Sequence, residues 1–103
     1  MTDTILMPDE CTTMSEVRAG VDATDQELVA LLERRFGYMR AAARIKPSRE
    51  TVRDEARKAA VIQAAGKAAE ARSMPRDRIE AIWELLVENS IAYEFEIWDD
   101  TRN

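Results

Sequence analysis

Arg35 and Lys46 lie 11 residues apart. At 100° per residue that spacing returns them to within about 20° of one helical face, about 16 Å apart along the axis. Two long cationic side chains on one face can address a single small dianion. Arg57, with Asp54 one turn before it, would complete such a cluster from the next stretch of chain. Arg18 precedes Arg35 by 17 residues, about 25 Å of helix, too far to touch the same small molecule within one chain. A role for Arg18 therefore requires a second subunit, and antiparallel pairing of two long helices would deliver it. Glu94 falls within about 20° of Trp83 and Val87 on a helical wheel, which sets a carboxylate on an otherwise apolar face. Burial there would disfavour its charge, and a nearby Lys46 would restore it. Each residue also has an ordinary role. Arg35 follows Arg34 and alone reads as a solvated arginine, Lys46 suits the negative end of a helix, Arg57 can pair with Asp54 three residues earlier, and Glu94 can reach for water. Only the joint arrangement points to an anion site.

Composition narrows the chemistry. The chain has no His and one Cys, Cys11. The commonest general base, the commonest metal ligand and every Ser-His or Cys-His system are thereby removed. So are an intrachain disulfide and any multi-Cys metal site. No metal and no organic cofactor is expected. The formal charge of −5 hides a polarity: residues 1–33 carry a net −7, residues 34–58 a net +6 with 9 Arg and Lys, and residues 74–103 a net −5. An acidic protein with one short basic stretch suits a small anion and not a nucleic acid, which needs a broad basic footprint. No basic leader followed by an apolar run opens the chain, and no stretch approaches a membrane span, so a cytoplasmic setting is expected.

The elements that must hold these residues are helices. At 103 residues one domain is expected, spanning 1–103. Residues 1–12 lack periodicity and read as an N-terminal tail or loop. Thr13-x-x-Glu16 has the capping-box pattern, so the first helix begins near Thr13. Val17, Val21, Leu28, Leu31, Phe36 and Met39 recur at helical intervals toward Pro47, which should stop a helix of about 30 residues, roughly 45 Å long. Thr51-x-x-Asp54 reads as a second cap, opening an Ala-rich helix to about residue 71. Ser73 with Pro75 marks a third start, with Ile79, Ile82, Trp83, Leu86, Ile91, Phe95 and Trp98 as its core face. The first stripe is longer than the other two helices can cover, so a self-complementary dimer is expected to bury it.

The ordered set resembles the all-helical chorismate mutase family (type II), including its isochorismate-pyruvate lyase branch. The resemblance runs from about Pro8 to Arg102. It is carried by Val17-Arg18 with Asp22 and Asp25, the segment LVALLERR at 28–35, Lys46, Val52-Arg53-Asp54 with Arg57, and Asn89-Ser90 with Glu94. It implies an all-α fold of three helices per chain, the first long, in an intertwined homodimer. It also implies roles: Arg18 from the other subunit, with Arg35 and Arg57, holds two carboxylates; Lys46 lies at the ether oxygen whose bond breaks; Asp54 lies near the ring hydroxyl; Ser90 lies near a carboxylate; Glu94 stands where a Gln usually donates a second bond to the ether oxygen. Two departures stand out. Lys58 replaces a Glu that contacts the substrate hydroxyl, and Glu94 replaces that Gln. An ionised Glu94 would repel the ether oxygen, so the resemblance makes its protonated form the active one. The implied activity is rearrangement of chorismate to prephenate. The lyase reaction, giving salicylate and pyruvate from isochorismate, is the alternative, favoured by the non-acidic Lys58 and the approach Pro8 to Thr12. A non-enzymatic helical dimer that binds a partner through its acidic ends is a second alternative.

Overall fold

The structure, a computed structural model, describes residues 4–102. Among them there is no strand, and the chain runs through three helices: α1 (Met14–Ile45), α2 (Glu55–Ala71) and α3 (Arg76–Thr101), with 3₁₀ turns at Pro8–Glu10 and Arg49–Thr51. No helix among the described residues is long and apolar enough to cross a membrane.

α1 opens at the expected capping box. The Thr13 hydroxyl accepts the Glu16 N–H at 3.2 Å, and Glu16 Oε1 accepts the Thr13 N–H at 3.0 Å. The same oxygen accepts the Thr12 N–H, and that bond, with lesser help from Thr13 and the Thr12 hydroxyl, holds the Glu16 carboxyl below its ordinary range. The helix ends at Ile45, two residues before Pro47.

The second start differs from the expected one. Thr51 ends a 3₁₀ turn, its hydroxyl donating to the Ser48 carbonyl at 2.6 Å. Asp54 is the N-cap instead, accepting the Arg57 N–H at 2.9 Å. Both residue types cap well, but Asp54 faces the third amide of the helix while Thr51 is already committed to its own turn. Ser73 is also corrected: it ends α2 and does not begin α3. Its φ of 57° is left-handed. The Ser73 N–H donates to the Glu70 carbonyl and the Met74 N–H to that of Ala69. This is the Schellman pattern, with serine where glycine is usual. Pro75 is the N-cap of α3.

By their contacts the described residues form two compact units, one ending at Arg35 and one starting at Phe36. In the first, the segment through the Pro8 turn lies against α1 beside an apolar groove of about 570 Å³ that includes Leu6, Met7, Val17 and Val21. Val17, Val21, Leu28 and Leu31, the expected stripe, all stand exposed. In the second unit Ala43, Val52, Val87, Ile91 and Trp98 form the core, with Ile62, Trp83 and Phe95 against it. Ile82, expected inside, is exposed. So are Ala56, Ala59 and Ala60, whereas Gly66 and Ala69 of α2 are buried. Gly66 is required by proximity: a Cβ there would run into the Arg76–Glu80 ion pair that lies across α2.

The left-handed Ser73 carries a conformational cost that glycine avoids, partly offset by glycine's greater freedom when unfolded. Ser73→Gly is expected to raise stability by about 0.5 kcal/mol, measured by denaturant unfolding. A loss of stability would show that the Ser73 side chain contributes more than its backbone strain costs.

Candidate active site

Lys46 directly follows α1, and the chain then turns back through the 3₁₀ turn to bury Val52. The Lys46 ammonium donates to the Val52 carbonyl at 3.1 Å. It also lies 2.7 Å from Glu94 Oε2. Glu94 is 3% exposed and sits one turn from both Ile91 and Trp98 on the buried stripe of α3. Distance and direction disagree at this contact. The separation is that of a strong ion pair, yet the approach lies outside hydrogen-bond geometry and Glu94 Oε2 has no hydrogen-bond donor. Charge therefore holds the pair, and the buried oxygen retains an unmet capacity for a hydrogen bond. Ser90, one turn before Glu94 and buried with it, donates to the Leu86 carbonyl at 2.7 Å.

Asp54 and Arg57 come together through the cap of α2, not through an ion pair. The Arg57 guanidinium is exposed and has no ion-pair partner among the described residues. Arg18, exposed, and Arg35, half-buried, belong to the N-terminal unit, whereas Lys46, Asp54, Arg57, Ser90 and Glu94 belong to the C-terminal one. The structure thus brings Lys46 to Glu94, and Asp54 to the Arg57 backbone.

Lys58 is turned toward α3. Its ammonium lies 2.7 Å from Glu84 and 2.8 Å from Glu88. Arg53 meets Glu88 through both terminal nitrogens and also reaches Glu55. Sequence reasoning missed this clamp, although Glu84 and Glu88 stand one helical turn apart and so present two carboxylates on one side of α3. It also missed the Val52 carbonyl, because backbone acceptors leave no signature in residue types.

The clamp sets an acid sensitivity. Arg53, and after it Lys58, pull the Glu88 carboxyl from 4.5 to about 2, while its two partners are held more firmly protonated. A carboxylate depressed by folding stabilises fully above its unfolded value and loses that contribution as pH falls through its folded value. The thermal midpoints of the native protein and Glu88→Gln should therefore differ above pH 4.5 and converge as pH falls toward about 2. Circular dichroism melts across that range measure it, and a pH-independent difference would contradict the clamp.

Among the described residues the chain is all-helical, has no histidine, and sets a half-buried lysine against a buried glutamate. The chain belongs to the chorismate mutase type II family, which it matches over residues 17–95, a span that holds every candidate residue from Arg18 to Glu94. It is an enzyme of that family. It is 28% identical to the isochorismate pyruvate lyase of Pseudomonas aeruginosa over 95 residues, 92% of this chain and 94% of that protein.

Proposed function

We propose that this chain, a single domain over 1–103, rearranges chorismate to prephenate as a cytoplasmic homodimer in which Arg18 of each protomer completes the other's site. The observation that carries the reading is the pairing of a half-buried Lys46 with a buried Glu94 inside a family match that spans the candidate residues. The dimer is supported by the exposed row Val17, Val21, Leu28 and Leu31, an apolar face that a second α1 would cover.

The reaction suits such a site. The ether C–O bond breaks and a C–C bond forms within one molecule, so no nucleophile and no obligatory proton transfer is needed. Catalysis reduces to holding the compact conformer and stabilising the charge that develops at the ether oxygen. Arg18, Arg35 and Arg57 take the two carboxylates, where a guanidinium can bond bidentately. Ser90 lies by a carboxylate and Asp54 by the ring hydroxyl. Lys46, already positioned by the Val52 carbonyl, meets the ether oxygen. Glu94 donates to it when protonated; when ionised it keeps the Lys46 ammonium for itself.

The relative named as an isochorismate pyruvate lyase favours a second reading. There the same ether bond breaks while a ring hydrogen passes to the enolpyruvyl methylene, leaving salicylate and pyruvate. Chorismate and isochorismate offered side by side, followed by ultraviolet absorbance and salicylate fluorescence, separate the two. Chorismate is expected to be consumed faster, with Lys46→Ala lowering the rate about 10²- to 10³-fold. Consumption of neither substrate leaves only a non-enzymatic helical dimer. Glu94→Gln, whose amide donates whatever the charge, is expected to keep or raise kcat/KM; a loss as large as that of Lys46→Ala would refute the donor role of Glu94.

Sharing of the site has its own test. Arg18→Ala and Lys46→Ala each remove a different half of the same pocket. Mixed after unfolding and refolding together, they should recover roughly a quarter of native activity, since half the dimers are mixed and each of those holds one intact site. No recovery would place Arg18 outside the partner's pocket.

A further inference from the structure

On the C-terminal unit, a cavity of about 530 Å³ is lined by Arg40, Arg44, Ile97, Thr101 and Arg102. Arg40 and Arg44 are four residues apart and share one face of α1. That face is turned by more than 120° from the one bearing Lys46, because six residues separate Arg40 from Lys46 and two separate Arg44 from it. The cavity is therefore not the Lys46–Glu94 site.

Several arginines of this unit, Arg57 among them, have no ion pair among the described residues; Arg40, Arg44 and Arg102 are set apart by converging on one cavity. Arg49, Arg53 and Arg76 each lie against a carboxylate. Arg40, Arg44 and Arg102 form no ion pair among the described residues, in a protein with 20 acidic and 15 basic side chains. Each is instead oriented by neutral groups or left open. Arg40 donates to the Tyr93 hydroxyl at 3.0 Å, and that ring is fixed edge-on by Phe36. Arg102 stacks on the Trp98 ring, 3.3 Å from its centroid, and donates to the Thr101 hydroxyl. Arg44 has no side-chain partner among the described residues. The ends of α1 and α3 favour positive charge, which accounts for Arg44 and Arg102 singly. It does not account for a third guanidinium held by Tyr93 on the same cavity, one helical turn from Arg44, where like charges repel.

We propose that this cavity is a second anion site, separate from the catalytic one, which takes a small multiply charged oxyanion. The anion's oxygens bond to Arg40, Arg44 and Arg102, and Ile97 meets an apolar part of the ligand; the Thr101 hydroxyl, which donates to the Ile97 carbonyl at 2.7 Å, serves to orient Arg102. Three guanidinium groups on one concave surface favour phosphate or clustered carboxylates, which accept two bonds from each fork. Arg102 also donates to the Lys46 carbonyl at 3.4 Å, so one lining residue of the cavity is tied to the backbone of Lys46.

The test is calorimetric titration of the full chain with inorganic phosphate and, separately, with citrate, at constant ionic strength, with Trp98 emission followed in parallel. Saturable binding of either anion is expected; which one binds tells a phosphate site from a polycarboxylate site. Arg44→Ala, at a residue that supports nothing in the fold, should weaken binding by about tenfold, and Arg40→Ala with Arg44→Ala should abolish it, whereas Arg57→Ala should leave it unchanged. Weakening by Arg57→Ala and not by Arg44→Ala would assign the anion to the catalytic site and overturn the proposal. Absence of saturable binding by both anions would overturn it as well.

Discussion

A carboxylate in the middle of an apolar helix face is the constraint around which the C-terminal unit is arranged. Glu94 lies between Ile91 and Trp98 and is 3% exposed. A carboxylate so placed is costly unless a cation is delivered to it, and Lys46 lies 2.7 Å away. Lys46 is delivered by three features acting together: Pro47 ends α1 just beyond it, the 3₁₀ turn returns the chain, and the Val52 carbonyl receives one of its protons. Val52 is buried against the same core, so the acceptor cannot drift. A buried ion pair is a poor device for stability alone, since an apolar pair of similar volume often serves as well or better. In the proposed site a lysine and a carboxyl together have something to present to an ether oxygen that an apolar pair lacks.

The outer charges have a different character. Arg49 with Asp99, and Lys58 and Arg53 with Glu84 and Glu88, join elements that are already in contact. Being largely exposed, such pairs contribute little each. Their effect is orientational. The Lys58 ammonium is drawn to α3, and Arg49 is laid over the Phe95 ring at 4.6 Å. The Arg57 guanidinium, by contrast, is left without a protein anion among the described residues, which is compatible with the carboxylate contact proposed for it.

What was legible beforehand follows from how local each signal is. The Thr13–Glu16 box and the stop before Pro47 depend only on neighbours three or four residues away, and both appear as read. The burial of Glu94 was legible because helical periodicity puts it on a buried face; that Lys46 is the cation beside it depends on the path of the chain after α1, which periodicity does not give. The second cap was misread because Thr51 and Asp54 are equally able caps, and which of them faces a helical amide depends on the path through the 3₁₀ turn. Ser73 was misread for a related reason: left-handed serine closing α2 has the same composition as serine opening α3. Ile82 and the alanines near the start of α2 satisfy a period of 3.6, but with only the 17 residues of α2 to cover the 26 of α3, periodicity cannot say which part of a stripe is covered. The three arginines around Ile97 had no signal in the sequence, because their convergence joins the end of α1 to the end of α3.

The division between mutase and lyase chemistry turns on the group least like the rest of the family. Both substrates carry two carboxylates and both lose the same type of ether bond, so arginines and Lys46 act alike on either. Discrimination must come from the groups that meet the ring hydroxyl, whose position distinguishes the two molecules. At the start of α2 these are Asp54 and position 58. Asp54 gives Oδ1 to the cap, which leaves its second oxygen as the acidic acceptor that helix offers. Lys58 is neutralised by Glu84 and Glu88 and lies on the α3 side. In the proposed site the hydroxyl would meet one acceptor where a Glu at position 58 would have provided two, and a site with one anchoring acceptor tolerates more than one placement of it. On that proposal the clamp between α2 and α3, and not the pericyclic machinery, would decide how strictly chorismate is distinguished from isochorismate.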